Sequence, residues 1–220
     1  TLNNGLDPVT GKVAGTQTGD PHNFASFEEL YAAFHKQLSF VIDQKIRVSN
    51  YIDRMFAKYA PAPFLSVVIE DCISSGKDYY DGGPRYNTSY IQCTGLGTIT
   101  DSLTTLKKHI FEDKTFTMQQ MLDALAENFE GEEFMRQTIM NRTPFFGNDD
   151  DYADDIALRV YEDLFSLIDG QPNIKGGQYH LNMLSTTCHV YFGKVMGASP
   201  NGRLAGKSIS DGTSPSHGAD

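Results

Sequence analysis

The residues of greatest chemical interest lie in one stretch near the end of the chain, between Gly176 and Lys207. Residues 178–192 are rich in Tyr, Thr, Val, Phe and Leu and are bracketed by glycines, a composition typical of a buried strand. A polar buried face is unfavourable unless its groups are hydrogen-bonded to protein, water or a ligand. The pattern therefore predicts either the wall of a binding pocket or a core strand whose polar groups are satisfied internally. Because side chains alternate along a strand, the more polar face would carry His180, Asn182, Leu184, Thr186 and Cys188.

Two further groups in this stretch have reactive side chains. Cys188 and His189 have the types of a nucleophile and a base, but neighbours on a strand point to opposite faces, which argues against the pair. Arg203 follows a Pro/Asn/Gly turn at 198–203, and its planar guanidinium suits a carboxylate or a phosphate. It can equally tie the turn to the body of the protein.

The acidic run at 147–155 and the glycines at 95 and 97 indicate ligand sites only weakly. Carboxylates this dense invite a calcium hypothesis, but the run lacks the alternating ligands and the central glycine of a calcium loop. Acids at the start of a helix interact favourably with its dipole, which is the simpler interpretation. Gly95 and Gly97 lack the third glycine of a dinucleotide fingerprint, so they indicate close backbone packing instead.

Several helices must position these groups. Ser26 and Glu29 form a capping-box pattern, and apolar residues then recur at three- and four-residue spacing as far as Pro61. At about 1.5 Å per residue such a helix approaches about 50 Å, which suggests that it flanks a larger structure. Further helices are predicted from Phe64 to Gly76, from Asp101, from Thr117 and from Tyr152 to Ile168, and a second strand from Arg85 to Thr100.

Composition excludes several classes of function. The chain of 220 residues has a net charge of -10 and a pI near 5.0, which argues against a nucleic-acid binder because no basic patch would neutralise phosphates. Its apolar fraction of 40% is enough for a core. No apolar run of about 18 residues is present and the first residues are polar, so we expect no membrane span, no signal peptide and a cytoplasmic location. Three dispersed cysteines predict reduced thiols rather than disulfides or a zinc site.

Several segments together resemble the glycyl radical enzymes of the pyruvate formate-lyase-like family. The resemblance implies an α/β fold, in which residues 1–220 form a helix-rich part of the barrel domain, a ten-stranded α/β barrel. Within the family the likeness is closest to the hydroxyproline dehydratases and to related dehydratases and lyases. The matching segments are TLNNGLDPVTGK at 1–12, TGDPHNF at 18–24, RYNTSYIQ and GTITDSL within 85–103, GNDDDYADD at 147–155, and YHLNMLSTTCHVYFG with GASPNGRLA within 179–205.

The resemblance implies substrate contacts on this chain but no radical-bearing residue. The family's Gly-Cys-Val-Glu motif would lie upstream and its Arg-Val-Ala-Gly-Tyr motif downstream, so no catalytic residue is predicted here and the chain alone is expected to be inactive. A threonine that lines the pocket of the hydroxyproline enzymes matches Thr186. His180 and Asn182 stand where those enzymes carry an arginine and an aspartate, so we expect them to tune selectivity. Tyr179 completes the predicted substrate-binding set.

The implied reaction is abstraction of a hydrogen atom from a small substrate by a thiyl radical, followed by loss of water or another leaving group. The resemblance favours trans-4-hydroxy-L-proline as the substrate, with glycerol, propanediol or choline as alternatives. The glycyl radical would lie outside this chain, and no metal is expected on the chain itself. A partner activating enzyme that uses S-adenosylmethionine and an iron-sulfur cluster would install the radical, in a homodimeric, full-length enzyme of anaerobic metabolism.

A function of another class stays open from the residues alone. The chain can be a non-catalytic helical binding or scaffold module that reuses the segment. Flanking sequence without the two radical motifs would favour this module, whereas both motifs in one reading frame would favour the enzyme.

Overall fold

The computed structural model shows a mainly helical chain with one small sheet, and it describes residues 1–7 and 10–216. The helices within these residues are α1 (Phe27–Tyr59), α2 (Pro63–Ser66), α3 (Glu70–Ser75), α4 (Leu96–Leu106), α5 (Met118–Ala126), α6 (Glu133–Arg142), α7 (Asp151–Ile168) and α8 (Cys188–Val195). The strands β1 (Ser89–Gln92) and β2 (Tyr179–Asn182) pair with each other.

The chain divides into two compact units. The first comprises the described parts of Thr1–Gln37, Gln92–Asp163 and Met183–Asp220, and the second comprises Leu38–Ile91 and Leu164–Asn182.

The start of α1 confirms the predicted helix and refines its cap. Ser26 Oγ accepts a hydrogen bond from the Glu29 amide at 3.3 Å, as a capping box requires. The Glu29 carboxylate reaches one residue further back than a standard box and accepts from the Ala25 amide at 2.8 Å. The helix runs for 33 residues, or roughly 50 Å at about 1.5 Å per residue, and ends at Tyr59, just before Pro61.

The first unit contains α4, a helix that is buried almost throughout although many of its residues are polar. The Ser102 and Thr104 hydroxyls donate to the carbonyls of Thr98 and Thr100, one turn earlier, at 2.7 and 2.8 Å. Such bonds satisfy hydroxyl groups inside a helix without an outside partner. Buried apolar side chains of the same unit include Leu30, Met121, Ile139, Ala153 and Val160.

In the second unit, the side chain of Asn173 joins the start of β1 to the segment that precedes β2. The Asn173 Nδ2 atom donates to the Asn87 carbonyl at 2.5 Å and to Ser89 Oγ at 3.0 Å. Its Oδ1 atom accepts from the amides of Lys175 and Gly177 at 3.0 and 2.8 Å. A Cβ added at Gly177 would lie 2.1 Å from the Asn87 carbonyl oxygen, so only glycine fits this approach.

The predicted strand at 178–192 is wrong beyond Asn182. Strand β2 ends there, residues 183–187 form an irregular loop, and α8 follows. His189 Nδ1 donates to the Thr186 carbonyl at 2.7 Å and so satisfies a backbone group that a strand would offer to its neighbour. A Cβ added at Gly193 of α8 would lie 2.3 Å from the Lys207 carbonyl oxygen. Packing against a later part of the chain therefore overrides the local strand preference.

The predicted strand at 85–100 is also wrong at its end. Strand β1 covers Ser89–Gln92, and α4 begins directly after Gly95, which has a φ of 88°. A left-handed residue of this kind turns the chain at low cost only when it is glycine. Asp101, which the sequence predicts as a helix cap, consequently lies inside α4, and the helix continues as a π-helical turn at Lys107–Glu112.

Two other helix boundaries agree with the predictions from local patterns. Helix α5 begins with a complete capping box between Thr117 and Gln120. The predicted helix from Phe64 to Gly76 is wrong as a single element, because α2 ends at Ser66 and α3 begins at Glu70. Its predicted stop is correct: Gly76 directly follows α3, and its φ of 65° places it in the left-handed region that favours glycine.

Candidate functional site

Thr186 lies in the loop formed by residues 183–187, which we call the Thr186 loop, and belongs to the first unit. Its amide donates to Asp211 Oδ1 at 2.9 Å, and its carbonyl accepts from His189 Nδ1 at 2.7 Å. The backbone of Thr186 is therefore held at both polar atoms by side chains. Its hydroxyl Oγ1 lies 2.5 Å from Cys188 Sγ. Since a hydroxyl has one donor and two acceptor positions, this contact leaves capacity for a further hydrogen bond.

The segment 207–212 supports this loop from a later part of the chain. Ser210 is buried and exchanges two hydrogen bonds with Thr98 of α4: its amide donates to Thr98 Oγ1 at 2.8 Å, and its hydroxyl accepts from the Thr98 amide at 3.0 Å. The Ser210 carbonyl accepts from Thr94 Oγ1 at 3.2 Å. Asp211, the next residue, is thereby fixed opposite the Thr186 amide.

The loop and the segment are in close backbone contact at Gly212. A Cβ added at Gly212 would lie 2.7 Å from the Met183 carbonyl oxygen and 3.2 Å from Ser185 Oγ. The φ of Gly212 is 50°, in the left-handed region. Both features require glycine at this position.

Cys188 and His189 do not form a nucleophile and base pair in this arrangement. The expectation that they lie on opposite faces of a strand is wrong, because both lie in the first turn of α8. His189 Nδ1 is nevertheless occupied by the Thr186 carbonyl, and it lies 3.5 Å from Asp211 Oδ1. The thiol of Cys188 instead contacts the Thr186 hydroxyl.

The predicted site residues His180, Asn182 and Tyr179 lie on β2 in the second unit. The prediction that a single strand places His180 and Asn182 on one face with Thr186 is wrong, because the strand ends at Asn182. His180 Nδ1 lies 2.6 Å from Asp169 Oδ1, so the carboxylate fixes the orientation of the imidazole.

Tyr179 is 2% exposed, and its hydroxyl donates to Asn50 Oδ1 at 3.0 Å. Burial raises the pKa of Tyr179. The side chain is thus committed to the interior of the second unit in this structure.

Arg203 ties its own turn together, which was one of the two interpretations of the sequence. The residue is 6% exposed, and its Nε atom donates to Ser199 Oγ at 2.9 Å. Its Nη1 atom donates to the Lys207 carbonyl at 2.6 Å, and its Nη2 atom donates to the Gly197 carbonyl. Burial lowers the pKa of the guanidinium. Arg203 thus links the 197–203 turn to the start of the segment that carries Asp211.

The acidic run serves as the start of α7, as the simpler interpretation predicts. The helix begins at Asp151, and the Asp150 carboxylate accepts from the Tyr152 amide at 3.0 Å. In the part of the chain that the structure describes, no three His, Cys, Asp or Glu side chains are arranged to hold a metal ion. Within the same residues, no helix is long and apolar enough to cross a membrane.

Asp101 is a buried carboxyl group that the sequence misidentifies as a cap. It is fully buried in α4, and its Oδ1 atom accepts from the Phe146 amide at 2.9 Å. Burial raises the pKa of Asp101 to about 6, although hydrogen bonds from the Phe146 amide and the Ser216 side chain oppose the shift.

Sequence reasoning also misses Asp169 and Asp211, the two carboxylates that orient predicted site residues. The only signal for Asp211 is the Asp-Gly pair at 211–212, which is typical of a turn but does not point to Thr186. Asp169 likewise precedes Gly170 at the end of a helix and is predicted only as part of the helix stop.

Comparisons with known proteins give a consistent family. The pyruvate formate lyase-like family model matches residues 1–193. The chain is 52% identical to the trans-4-hydroxy-L-proline dehydratase of Clostridioides difficile over 220 residues, which cover 100% of the chain and 28% of that protein. The chain therefore spans little more than a quarter of the length of this relative.

Solved structures agree with the sequence comparison. The crystal structure of hydroxyproline dehydratase from Clostridioides difficile, with trans-4-hydroxy-L-proline bound, matches with a TM-score of 0.95 at 52% identity. The glycerol-bound B12-independent glycerol dehydratase from Clostridium butyricum matches with a TM-score of 0.93 at 33% identity. Each match covers 100% of this chain and 28% of the other. The helix-rich fold with its small sheet is thus the fold of one part of these enzymes.

Proposed function

The chain belongs to the pyruvate formate lyase-like family, and on that premise we propose that it is the substrate-positioning part of a longer glycyl radical dehydratase. The proposed substrate is trans-4-hydroxy-L-proline, and the proposed reaction is removal of water. The observation that carries the proposal is the match to a substrate-bound hydroxyproline dehydratase, at 52% identity and a TM-score of 0.95 over the whole chain. Identity to a propanediol dehydratase is lower, at 34%.

In this proposal the barrel domain of a full-length protein contains residues 1–220 together with parts that this chain does not include. A glycyl radical on another part supplies the capacity to abstract a hydrogen atom from the substrate. A separate activating enzyme, using S-adenosylmethionine and an iron-sulfur cluster, installs that radical, and the full-length protein is a homodimer. Residues of this chain bind and orient the substrate, and none of Cys72, Cys93 and Cys188 is assigned a radical role.

Thr186 is the residue to which we assign direct contact with the substrate. Its backbone is held at the amide by Asp211 and at the carbonyl by His189, so the position of its hydroxyl is well defined. A hydroxyl held in this way can bind a polar group of a small substrate at low entropic cost. The substrate is thereby oriented for the step that other parts of the enzyme perform.

His180 and Asn182 are proposed to tune which substrate is accepted, and Tyr179, the third predicted residue of this strand, is proposed to support them from the interior. His180 is suited to a selective role because Asp169 binds its Nδ1 atom and leaves Nε2 as the ring nitrogen that can meet a ligand. Tyr179 contributes to the support of this strand through its buried ring and its bond to Asn50.

A glycyl radical enzyme with another small substrate is the second candidate. The chain is 37% identical to the isethionate sulfite-lyase of Bilophila wadsworthia, in a match that covers 94% of this chain and 25% of that protein. This relative acts on a different leaving group, so the family alone does not determine the substrate.

A substrate panel tests the proposal. The full-length protein, activated anaerobically, would be incubated separately with trans-4-hydroxy-L-proline, glycerol, propanediol, choline and isethionate. We expect a product lighter by one water from hydroxyproline, at a kcat/KM at least about tenfold above that for any other substrate. A preference for any other member of the panel would overturn the substrate assignment. Flanking sequence that contains neither the Gly-Cys-Val-Glu motif nor the Arg-Val-Ala-Gly-Tyr motif would instead favour the scaffold module.

A further inference from the structure

We infer that Asp211 is a positioning residue that sets the conformation of Thr186, and that His189 completes this function. The inference rests on the proposed function, since it assigns Asp211 a role through the substrate contact of Thr186. It follows from the geometry of the first unit, where the two residues lie 25 positions apart in the chain.

The Thr186 backbone is bound at both of its polar atoms. Residues 183–187 lie outside the strands and helices, and two side chains bind the Thr186 backbone. The Asp211 carboxylate accepts from the Thr186 amide at 2.9 Å, and His189 Nδ1 donates to the Thr186 carbonyl at 2.7 Å. Fixing both polar atoms of one residue restricts the peptide on each side of it, and hence the direction of the Thr186 side chain.

The side chain of Asp211 is suited to this role. A carboxylate oxygen only accepts, and it can accept more than one hydrogen bond. Asp211 Oδ1 lies 2.9 Å from the Thr186 amide nitrogen and 3.5 Å from His189 Nδ1. A single oxygen therefore contacts both groups that define the loop, and the charge strengthens its bond to the amide.

Asp211 is itself held in place by its neighbours in the chain. Ser210, directly before it, is buried and bonded three times to Thr98 and Thr94. On the other side Gly212 lies against the Met183 carbonyl, and the Gly212 amide lies 3.4 Å from Thr94 Oγ1. Position 211 thus has little freedom, and its carboxylate is presented to Thr186 from a rigid segment.

Hydrogen exchange in the full-length protein tests the contact without requiring activity. Asp211→Ala is expected to speed exchange about tenfold or more in peptides that report the Thr186 amide, because the amide loses its acceptor. Asp211→Asn keeps an acceptor oxygen and is expected to leave exchange close to that of the unsubstituted protein. Asp155→Ala, an exposed aspartate on α7, is the matched control and should change nothing in these peptides. Unchanged exchange in Asp211→Ala would overturn the inference.

A double-mutant cycle on kcat/KM then distinguishes an effect of Asp211 that acts through Thr186 from a general effect of Asp211 on the stability of the fold. In the activated enzyme Asp211→Ala is expected to lower kcat/KM about tenfold, mainly through KM, and to have less than about a twofold effect when Thr186 is already alanine. Asp211→Asn is expected to recover activity to within about threefold of the unsubstituted enzyme. If the losses of kcat/KM in Asp211→Ala and Thr186→Ala instead multiply in the double variant, the positioning role of Asp211 is wrong. If Thr186→Ala alone changes nothing, the substrate role of Thr186 fails, and the functional part of this inference fails with it.

Discussion

His180 Nδ1 lies 2.6 Å from Asp169 Oδ1, and this bond holds the imidazole in one orientation within the second unit. The two side chains are separated by eleven positions, with Asp169 just after the end of α7 and His180 on β2. Both side chains are partly exposed to solvent, so neither is buried in the core. A histidine whose Nδ1 atom is bound by a carboxylate presents Nε2 in a fixed direction, which is the arrangement that a selective binding group requires.

Asp169→Asn is expected to change the substrate selectivity of the full-length enzyme. The amide keeps the size of the side chain but weakens the charge-assisted bond to His180, so the imidazole becomes less well oriented. We expect the ratio of kcat/KM for hydroxyproline to kcat/KM for glycerol to change by about three- to tenfold in the activated full-length enzyme. Asp81→Asn, at an exposed aspartate of the same unit, is the control. An unchanged ratio would remove His180 from the selectivity assignment.

Asp101 gives a prediction about pH. Burial raises the pKa of Asp101 to about 6 in the folded state. As the pH rises, the folded protein therefore keeps the proton on this carboxyl group to a higher pH than the unfolded chain does. Stability from this group is therefore fully present below about pH 4 and is lost as the pH rises through about 6. Above pH 7 the ionised, buried carboxylate costs roughly 3 kcal/mol relative to its protonated form, an order-of-magnitude value.

Asp101→Asn tests this pH dependence. Asparagine keeps an oxygen that can accept from the Phe146 amide but does not ionise. We expect the Tm of the variant, relative to the unsubstituted protein, to rise between pH 4 and pH 6 and then to level off. Asp155→Asn, on the exposed side of α7, should show no such trend. A difference in Tm that is constant with pH would contradict the raised pKa.

Gly212→Ala tests the close contact between the Thr186 loop and the 207–212 segment. Gly206→Ala is its matched control, because Gly206 also has a positive φ, of 76°, but an added Cβ there meets nothing within 4 Å. The control therefore carries only the backbone cost, about 1 kcal/mol. Gly212→Ala adds a clash with the Met183 carbonyl at 2.7 Å.

We expect Gly212→Ala to lower Tm further than Gly206→Ala and to raise KM several-fold, since the loop that carries Thr186 must shift. Differential scanning calorimetry and steady-state kinetics on the full-length enzyme measure the two effects. Equal Tm and KM values for Gly212→Ala and Gly206→Ala would show that the close contact at Gly212 contributes nothing to stability or substrate binding.

Local patterns were sufficient to predict the parts of the fold whose determinants are local. The caps at Ser26 and Thr117 and the glycine stop at Gly76 each depend on residues within one turn, and each is present in the structure. The resemblance to the family likewise depends on short segments, and the family model matches 193 residues.

The candidate site could not be predicted in the same way because its determinants are distant in sequence. Residues 183–195 have strand-forming side chains, but Gly193 lies against Lys207, and Asp211 binds Thr186. No pattern within residues 183–195 contains either contact, so the alternation argument continues the strand too far. Asp101 is misassigned for a different, local reason: the left-handed turn at Gly95, six residues before Asp101, starts α4.

The central claim, that the Thr186 hydroxyl binds the substrate, is tested most directly by kcat/KM for trans-4-hydroxy-L-proline in Thr186→Ala and Thr186→Ser variants of the activated full-length enzyme. Serine keeps the hydroxyl and alanine removes it, while both retain the backbone bonds to Asp211 and His189. We predict a loss of about tenfold or more in Thr186→Ala and of less than about threefold in Thr186→Ser, as expected for a hydrogen bond worth about 1.5 kcal/mol. An alanine variant with unchanged kcat/KM would contradict the claim.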